Sequence, residues 1–282
     1  MKKIVSYLLS LLAFCIMACD DGDITIDTPQ SLVVEGWIEN GEFPVVIVTK
    51  TLPVTTEYQN MNDLSDYLAR WAKVTVSDGE KSVVLTGMYD ESYYPPYVYT
   101  TSYLRGEAGK TYTLTVEYED KTLTSSTTIP ATLPVVDHYQ IEKCQGTEDL
   151  YQIKACFHDN PQEKDYYLFF TKIGMESNHY LASYLGAVND DMISNYVEYP
   201  VYRGQRYDNT EYTPYFEAGE VVSVKLAKVD QSTFLFWDQY TKSQSLNSNM
   251  FLSTSTSLPN NIKGGMGYWS GFASVISYLE IK

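Results

Sequence analysis

Histidine is scarce in this sequence. The three present, His138, His158 and His179, stand 20 and 21 residues apart. Metal sites draw on ligands at i, i+2 or i, i+4, or on cysteine pairs, so this spacing excludes a local histidine motif. Calcium loops need alternating acids around a glycine, and neither Asn189-Asp190-Asp191 nor Asp20-Asp21-Gly22-Asp23 has that spacing. No serine sits in Gly-x-Ser-x-Gly, the strained turn of many hydrolases. Gly264-Gly265-Met266-Gly267 lacks the Lys-Ser/Thr ending of a phosphate loop and reads as a turn feeding a last strand. Basic charge is also short, with 20 Lys and Arg against 36 Asp and Glu, and Lys2-Lys3 is the one basic run. Nucleic-acid binding needs clustered Lys and Arg against phosphates, so that class is excluded.

Cysteine is rare as well, and its placement is informative. Lys2-Lys3, the apolar run Ile4–Met17 and Ala18-Cys19 follow the order of a secretory signal. At 14 residues the run is short of the roughly 20 that a membrane-spanning helix needs. Ile16-Met17-Ala18-Cys19 resembles the lipobox of bacterial lipoproteins, with cleavage between Ala18 and Cys19 and acylation of the Cys19 sulfur; Cys15 follows bulky Phe14 and fits less well. Two or more acyl chains hold a protein firmly, at roughly 0.8 kcal/mol per buried methylene. Asp20, Asp21 and Asp23 after the cysteine resemble the surface-export signal of Bacteroidota lipoproteins; the other reading is a solvated spacer. Cleavage removes two lysines and no acids, leaving 18 basic against 36 acidic groups.

After cleavage Cys144 and Cys156 remain. A tight turn over 145–149 sets Cys144 opposite about Leu150, roughly 20 Å along the strand from Cys156 at 3.3 Å per residue. That register argues against a disulfide.

Aromatics are plentiful, with 26 Tyr, 10 Phe and 4 Trp. Such residues, with abundant Thr and Val, favour strands. Residues 19–30 read as an acidic tether. From Ser31 to Ile129 period-two runs alternate with turn signals: Leu32–Ile38 and Phe43–Thr49 around Asn40-Gly41, Lys73–Ser77 and Ser82–Thr86 around Asp78-Gly79, Tyr97–Thr101, then Thr111–Tyr118 and Leu123–Ile129 around Glu119-Asp120. Residues 64–70 suit a short helix. About seven strands in 100 residues predict an immunoglobulin-like sandwich. Pro130–Pro134 marks a boundary. Beyond it Tyr139–Lys143 and Leu150–Phe157 form a hairpin, and Asp165–Lys172 and Val221–Ala227 are strands. The weak pattern from Gly174 to Gln205 reads as long loops. Phe234, Trp237 and Tyr240 then take helical spacing, with Asp230 or Ser232 as cap, and Ala273–Ile281 closes the chain. The expected fold is mainly β: an immunoglobulin-like β-sandwich over 31–130, then a second β-rich domain over 135–282, barrel- or sandwich-like, with one short helix.

Two tyrosine-rich stretches are candidate binding loops: Tyr93, Tyr94, Tyr97 and Tyr99, and Tyr202, Tyr207 and Tyr212. A tyrosine offers a flat apolar body with a polar tip, suited to peptide or glycan. The alternative is a strand whose alternate tyrosines pack on the core while Pro95 and Pro96 blunt an edge.

Taken in order, Cys19, Leu32–Ile38, Val74–Gly79, Gly109–Glu117, Thr127–Pro130 and Asn261–Gly265 resemble the Bacteroidota lipoprotein family filed as domain of unknown function 4249. That resemblance implies an outer-membrane lipoprotein encoded near TonB-dependent transporters, and it carries over no catalytic residue. The short segment Tyr93–Tyr99 matches no family pattern. The leading expectation is a non-catalytic, lipid-anchored surface protein without cofactor or metal, an accessory or ligand-capturing partner of such a transporter. A surface adhesin or structural lipoprotein, and a hydrolase with an unrecognised site, are the alternatives.

Overall fold

The computed structural model describes residues 30–51, 65–93, 95–159, 162–174, 180–189, 196–204, 212–247 and 258–282. Residues 31–282 form one compact unit. The protein is mainly β, and its described residues hold several sheets and one helix.

The opening hairpin follows from Asn40-Gly41. Gly41 takes φ +79°, which a glycine adopts without steric cost, and the chain reverses from β1 (Leu32–Glu39) into β2 (Val45–Lys50). Four strands pair into a smaller sheet in the order β4-β3-β7-β8: β3 (Lys73–Ser77), β4 (Ser82–Val84), β7 (Thr111–Tyr118) and β8 (Lys121–Thr128). The run read as one strand over Ser82–Thr86 divides at Leu85. β4 stays on β3, whereas β5 (Thr86–Tyr89) joins β6 (Tyr97–Thr100) beside β2. Strict alternation on β3 and β7 puts Val74, Val76, Tyr112, Leu114 and Val116 inward, where they meet Leu32, Val34, Ile38, Val46 and Val48 of the facing sheet. These inward faces make a two-sheet sandwich.

The segments 31–130 and 135–282, expected as successive domains, share one eight-stranded sheet in the order β12-β11-β15-β16-β1-β2-β6-β5. Its second half is β11 (Tyr166–Ile173), β12 (Leu181–Asn189), β15 (Val221–Lys228) and β16 (Met266–Glu280). β16 begins at Met266, seven residues before the strand expected from sequence. Its first half runs parallel to β1 and its second half antiparallel to β15. Gly267 permits this early start: its φ is +113°, and a Cβ there would run into the carbonyl oxygen of Val34. A third sheet, of β9 (Val136–Lys143), β10 (Leu150–His158), β13 (Tyr196–Val201) and β14 (Phe216–Glu217), covers β11 and β15 through Ile153, Phe157, Phe169, Val224 and Leu226.

Some segments differ from expectation. The stretch read as loops over 174–205 holds β12 and β13; the register of β12 is broken opposite Leu168–Phe170 of its partner strand and by Leu185 at φ +52°. Irregular pairing of this kind erases period-two alternation. The described part of the helix expected over 64–70 is a single 3₁₀ turn at 65–67, after which Leu68 bridges Thr49. The helix α1 (Gln231–Asn247) is present and capped by Asp230, whose carboxylate accepts from Thr233 N at 2.7 Å.

Candidate functional site

Even-numbered residues of β1 enter the sandwich core, so odd-numbered ones face the other side of the large sheet. There Trp37 packs against Val45, Ile47 and Val98, with the ring of Tyr93 6.1 Å away. On the other side α1 lays Phe234 and Trp237 over Tyr166, Phe170 and Phe272. Phe236 of the helix lies 4.3 Å from Tyr268 of β16. This outer face is therefore an aromatic band running from Tyr93 across Trp37 to Tyr268 and α1.

Two carboxylates stand on the band. The Tyr268 hydroxyl donates to Glu35 Oε1 at 2.9 Å. Burial pushes the Glu35 carboxyl above its ordinary value of 4.5, and the Tyr268 bond offsets this only in part. Glu39 instead receives Lys225 Nζ at 2.7 and 3.0 Å and the Ser274 hydroxyl at 2.8 Å, with the Tyr180 ring 4.3 Å from the ammonium. One carboxylate is neutralised by an ion pair and the other is held towards its neutral form. A cavity of about 40 Å³ lies under α1 between Thr233, Phe236, Asn260, Asn261 and Tyr268. It has room for water, whereas small-molecule sites span roughly 300–1,000 Å³. Tyr166, Phe170, Phe234, Phe236, Tyr268 and Phe272 are buried in the band, and Trp37, Tyr93, Trp237 and Tyr240 stay partly exposed, an aromatic rim whose chemistry suits contact recognition.

The tyrosines expected to form binding loops divide by face. Tyr93 belongs to the band, and burial raises its phenol. Tyr97 and Tyr99 point the opposite way, into the sandwich. Tyr99 accepts from Ala72 N at 3.0 Å and donates to the Ala69 carbonyl, and burial pushes its phenol up to about 12. Tyr97 donates to the Arg70 carbonyl at 3.1 Å. These two therefore fasten residues 69–72 to the sheet, with their rings packed on the sandwich core. Tyr202 and Tyr212 cluster around Tyr184, with ring centroids 5.9 and 6.4 Å away. The Tyr212 hydroxyl donates to the Arg203 carbonyl at 2.6 Å, and burial raises its phenol strongly. The Tyr202 backbone is clamped by Ser183 Oγ at 2.8 and 3.0 Å. Tyr94 and Tyr207 lie outside the described residues, as do Ala18, Cys19, Asp20, Asp21 and Asp23.

Glu35, Trp37 and Tyr268 escaped the sequence reading. Their signal is that β1 carries apolar residues at both even and odd positions, Leu32, Val34 and Ile38 with Val33 and Trp37, the mark of a strand covered on both faces. Among the described residues no group of three His, Cys, Asp or Glu side chains is placed to hold a metal ion. His158 Nδ1 lies 2.7 Å from Asp137 Oδ2 on the exposed side of β10. Cys144 and Cys156 are free thiols. Cys144 N donates to the Leu150 carbonyl at 2.8 Å, the register expected from the turn, while Cys156 pairs with His138. No described helix is long and apolar enough to cross a membrane.

A family model described as a domain of unknown function (DUF4249) matches residues 21–275. No curated protein matches the sequence.

Proposed function

The chain belongs to the family described as a domain of unknown function (DUF4249), and from that premise we propose a non-catalytic surface lipoprotein. In this reading acyl chains on Cys19 hold the body at the outer membrane, where it serves a TonB-dependent transporter as an accessory or ligand-capturing partner. The observation that carries the reading is Ile16-Met17-Ala18-Cys19, followed by the acidic residues Asp20, Asp21 and Asp23. Two or more acyl chains make release slow, so the partner of such a protein shares its membrane.

The aromatic band supports a role in contact recognition. Aromatic side chains supply contact area at low entropic cost, and at the rim of the band Tyr93 and Trp37 stand side by side and partly exposed. The two-sheet sandwich of the first half favours a second reading, a surface adhesin or structural lipoprotein. Affinity purification of the tagged chain from detergent-solubilised envelopes separates the two. Recovery of a TonB-dependent transporter in near-equal amount is expected. Recovery of the chain without any transporter contradicts the leading reading.

A further inference from the structure

Among the described residues, no strand lies along one edge of the second half of the longest strand, β16. β1 accompanies β16 only as far as the pair Glu39–Phe272, after which Gly41 turns the chain towards Gly106, its N–H donating to the Gly106 carbonyl at 2.8 Å. β16 continues to Glu280 with β15 on its other side. Asn40 closes the first position of the vacated lane: its side chain accepts from Ser274 N at 2.6 Å and donates to the Ser274 carbonyl at 3.3 Å. Asn261 makes the mirror arrangement at Trp269 on the opposite edge.

These bonds fix the phase of the strand. Ile281 N donates across to the Glu220 carbonyl, so odd-numbered residues of this half exchange bonds with β15. Ser274, and with it Ile276, Tyr278 and Glu280, direct N–H and C=O towards the vacated lane. Among the described residues nothing bonds to these three on that side. Their side chains stand on the outer face, Ile276 and Tyr278 being 43% and 69% exposed. Edge strands are usually blunted by a lysine, a proline or a bulge, and 274–280 (Ser-Val-Ile-Ser-Tyr-Leu-Glu) carries none of these.

We propose that the β16 edge from Ile276 to Glu280 is a docking site for an extended segment of a partner protein, which adds as a strand in the lane that β1 leaves. This goes beyond the anchored-partner reading, because the edge is present whether or not Cys19 is acylated. Cross-strand neighbours on one face lie about 4.5–5.5 Å apart and pair by chemistry. The incoming segment therefore carries apolar side chains facing Ile276 and Tyr278 and a cation facing Glu280. Among the described residues Glu280 pairs with Lys282 alone, at 3.0 Å in a solvent-exposed pair, and such pairs are weak. A second copy fits less well. Two edges related around Tyr278 would set Glu280 across from Ile276 and bring together chains of formal net charge −16.

The test is residue-resolved amide exchange on the intact chain, with a synthetic peptide of alternating valine and threonine ending in lysine as the probe. In the free chain the amides of Ile276, Tyr278 and Glu280 exchange fast. Saturating peptide slows them at least about tenfold, and the same peptide N-methylated at alternate amides does not. Tyr278→Pro removes an edge-facing donor together with the exposed ring, so it weakens peptide binding at least about tenfold while Ser277 and Leu279 keep their protection. Glu280→Lys shifts preference to a peptide ending in glutamate. Absence of slowing, or equal slowing by the N-methylated peptide, overturns the proposal. Protection already present in the free chain also overturns it, assigning the edge to a second copy if dilution abolishes it and to the chain's own residues if not.

Discussion

Glu39 and Lys225 are 186 residues apart in sequence, yet the Lys225 ammonium sits 2.7 Å from the Glu39 carboxylate across the outer face of β16. The two side chains are only 7% and 10% exposed. The pair fastens the end of β1 to β15 over the strand between them, joining the first and second halves of the chain. Removing one partner of a buried pair strands the other charge, at a cost of about 3–5 kcal/mol. Glu39→Ala is therefore expected to lose about that much stability in urea unfolding. The double substitution Glu39→Leu with Lys225→Met should recover most of it, since an apolar replacement of a buried pair is often neutral or better. Equal loss in single and double variants would show that the pair matters through shape and not charge.

Tyr99 is a fastening residue for 69–72, and its hydroxyl is the part that acts. Tyr99→Phe keeps the ring in the sandwich but leaves Ala72 N–H and the Ala69 carbonyl with only their own long bond of 3.5 Å. Buried polar groups left unpaired cost about 1–3 kcal/mol. Loss of that size in chemical unfolding is expected, with faster amide exchange at Ala72. An unchanged midpoint would return Tyr99 to the candidate ligand contacts.

Glu35 gives the fold a dependence on pH of definite sign. Its carboxyl titrates higher in the folded chain than the ordinary 4.5, so the native state binds the proton more tightly than the unfolded state does. The stabilisation is complete below the unfolded value and is lost as pH rises through the folded one. Glu35→Gln keeps an acceptor for Tyr268 and cannot ionise. It should melt higher than the natural chain at neutral pH, the difference shrinking towards zero below about pH 4. A difference that persists in acid would mean that the substitution acts through packing.

Much of the fold was legible in the chain because its early strands have one polar face or a glycine turn. Thr111–Tyr118 and its return alternate cleanly and turn at Glu119-Asp120, and Asp230 announces α1. Legibility failed where alternation fails physically. β12 is broken by a bulge, and β14 is two residues long. The start of β16 is rich in glycine for close approach to β1, which in sequence reads as a turn. The parallel pairing of β16 with β1 leaves no local trace, and it is what places both halves in one sheet. At the candidate site tyrosine density was visible but facing was not: Tyr93 points outward, whereas Tyr97 and Tyr99, on the neighbouring strand, point into the sandwich. Glu35 and Tyr268 meet only through strand order, so spacing could not pair them.

The proposed anchoring rests on acylation of Cys19. Metabolic labelling of producing cells with an alkyne analogue of palmitate, followed by capture of the chain, tests it most directly. Label is expected on the natural chain and none on Cys19→Ala, which should also retain residues 1–18. Absence of label on the natural chain, or label that survives Cys19→Ala, would contradict it.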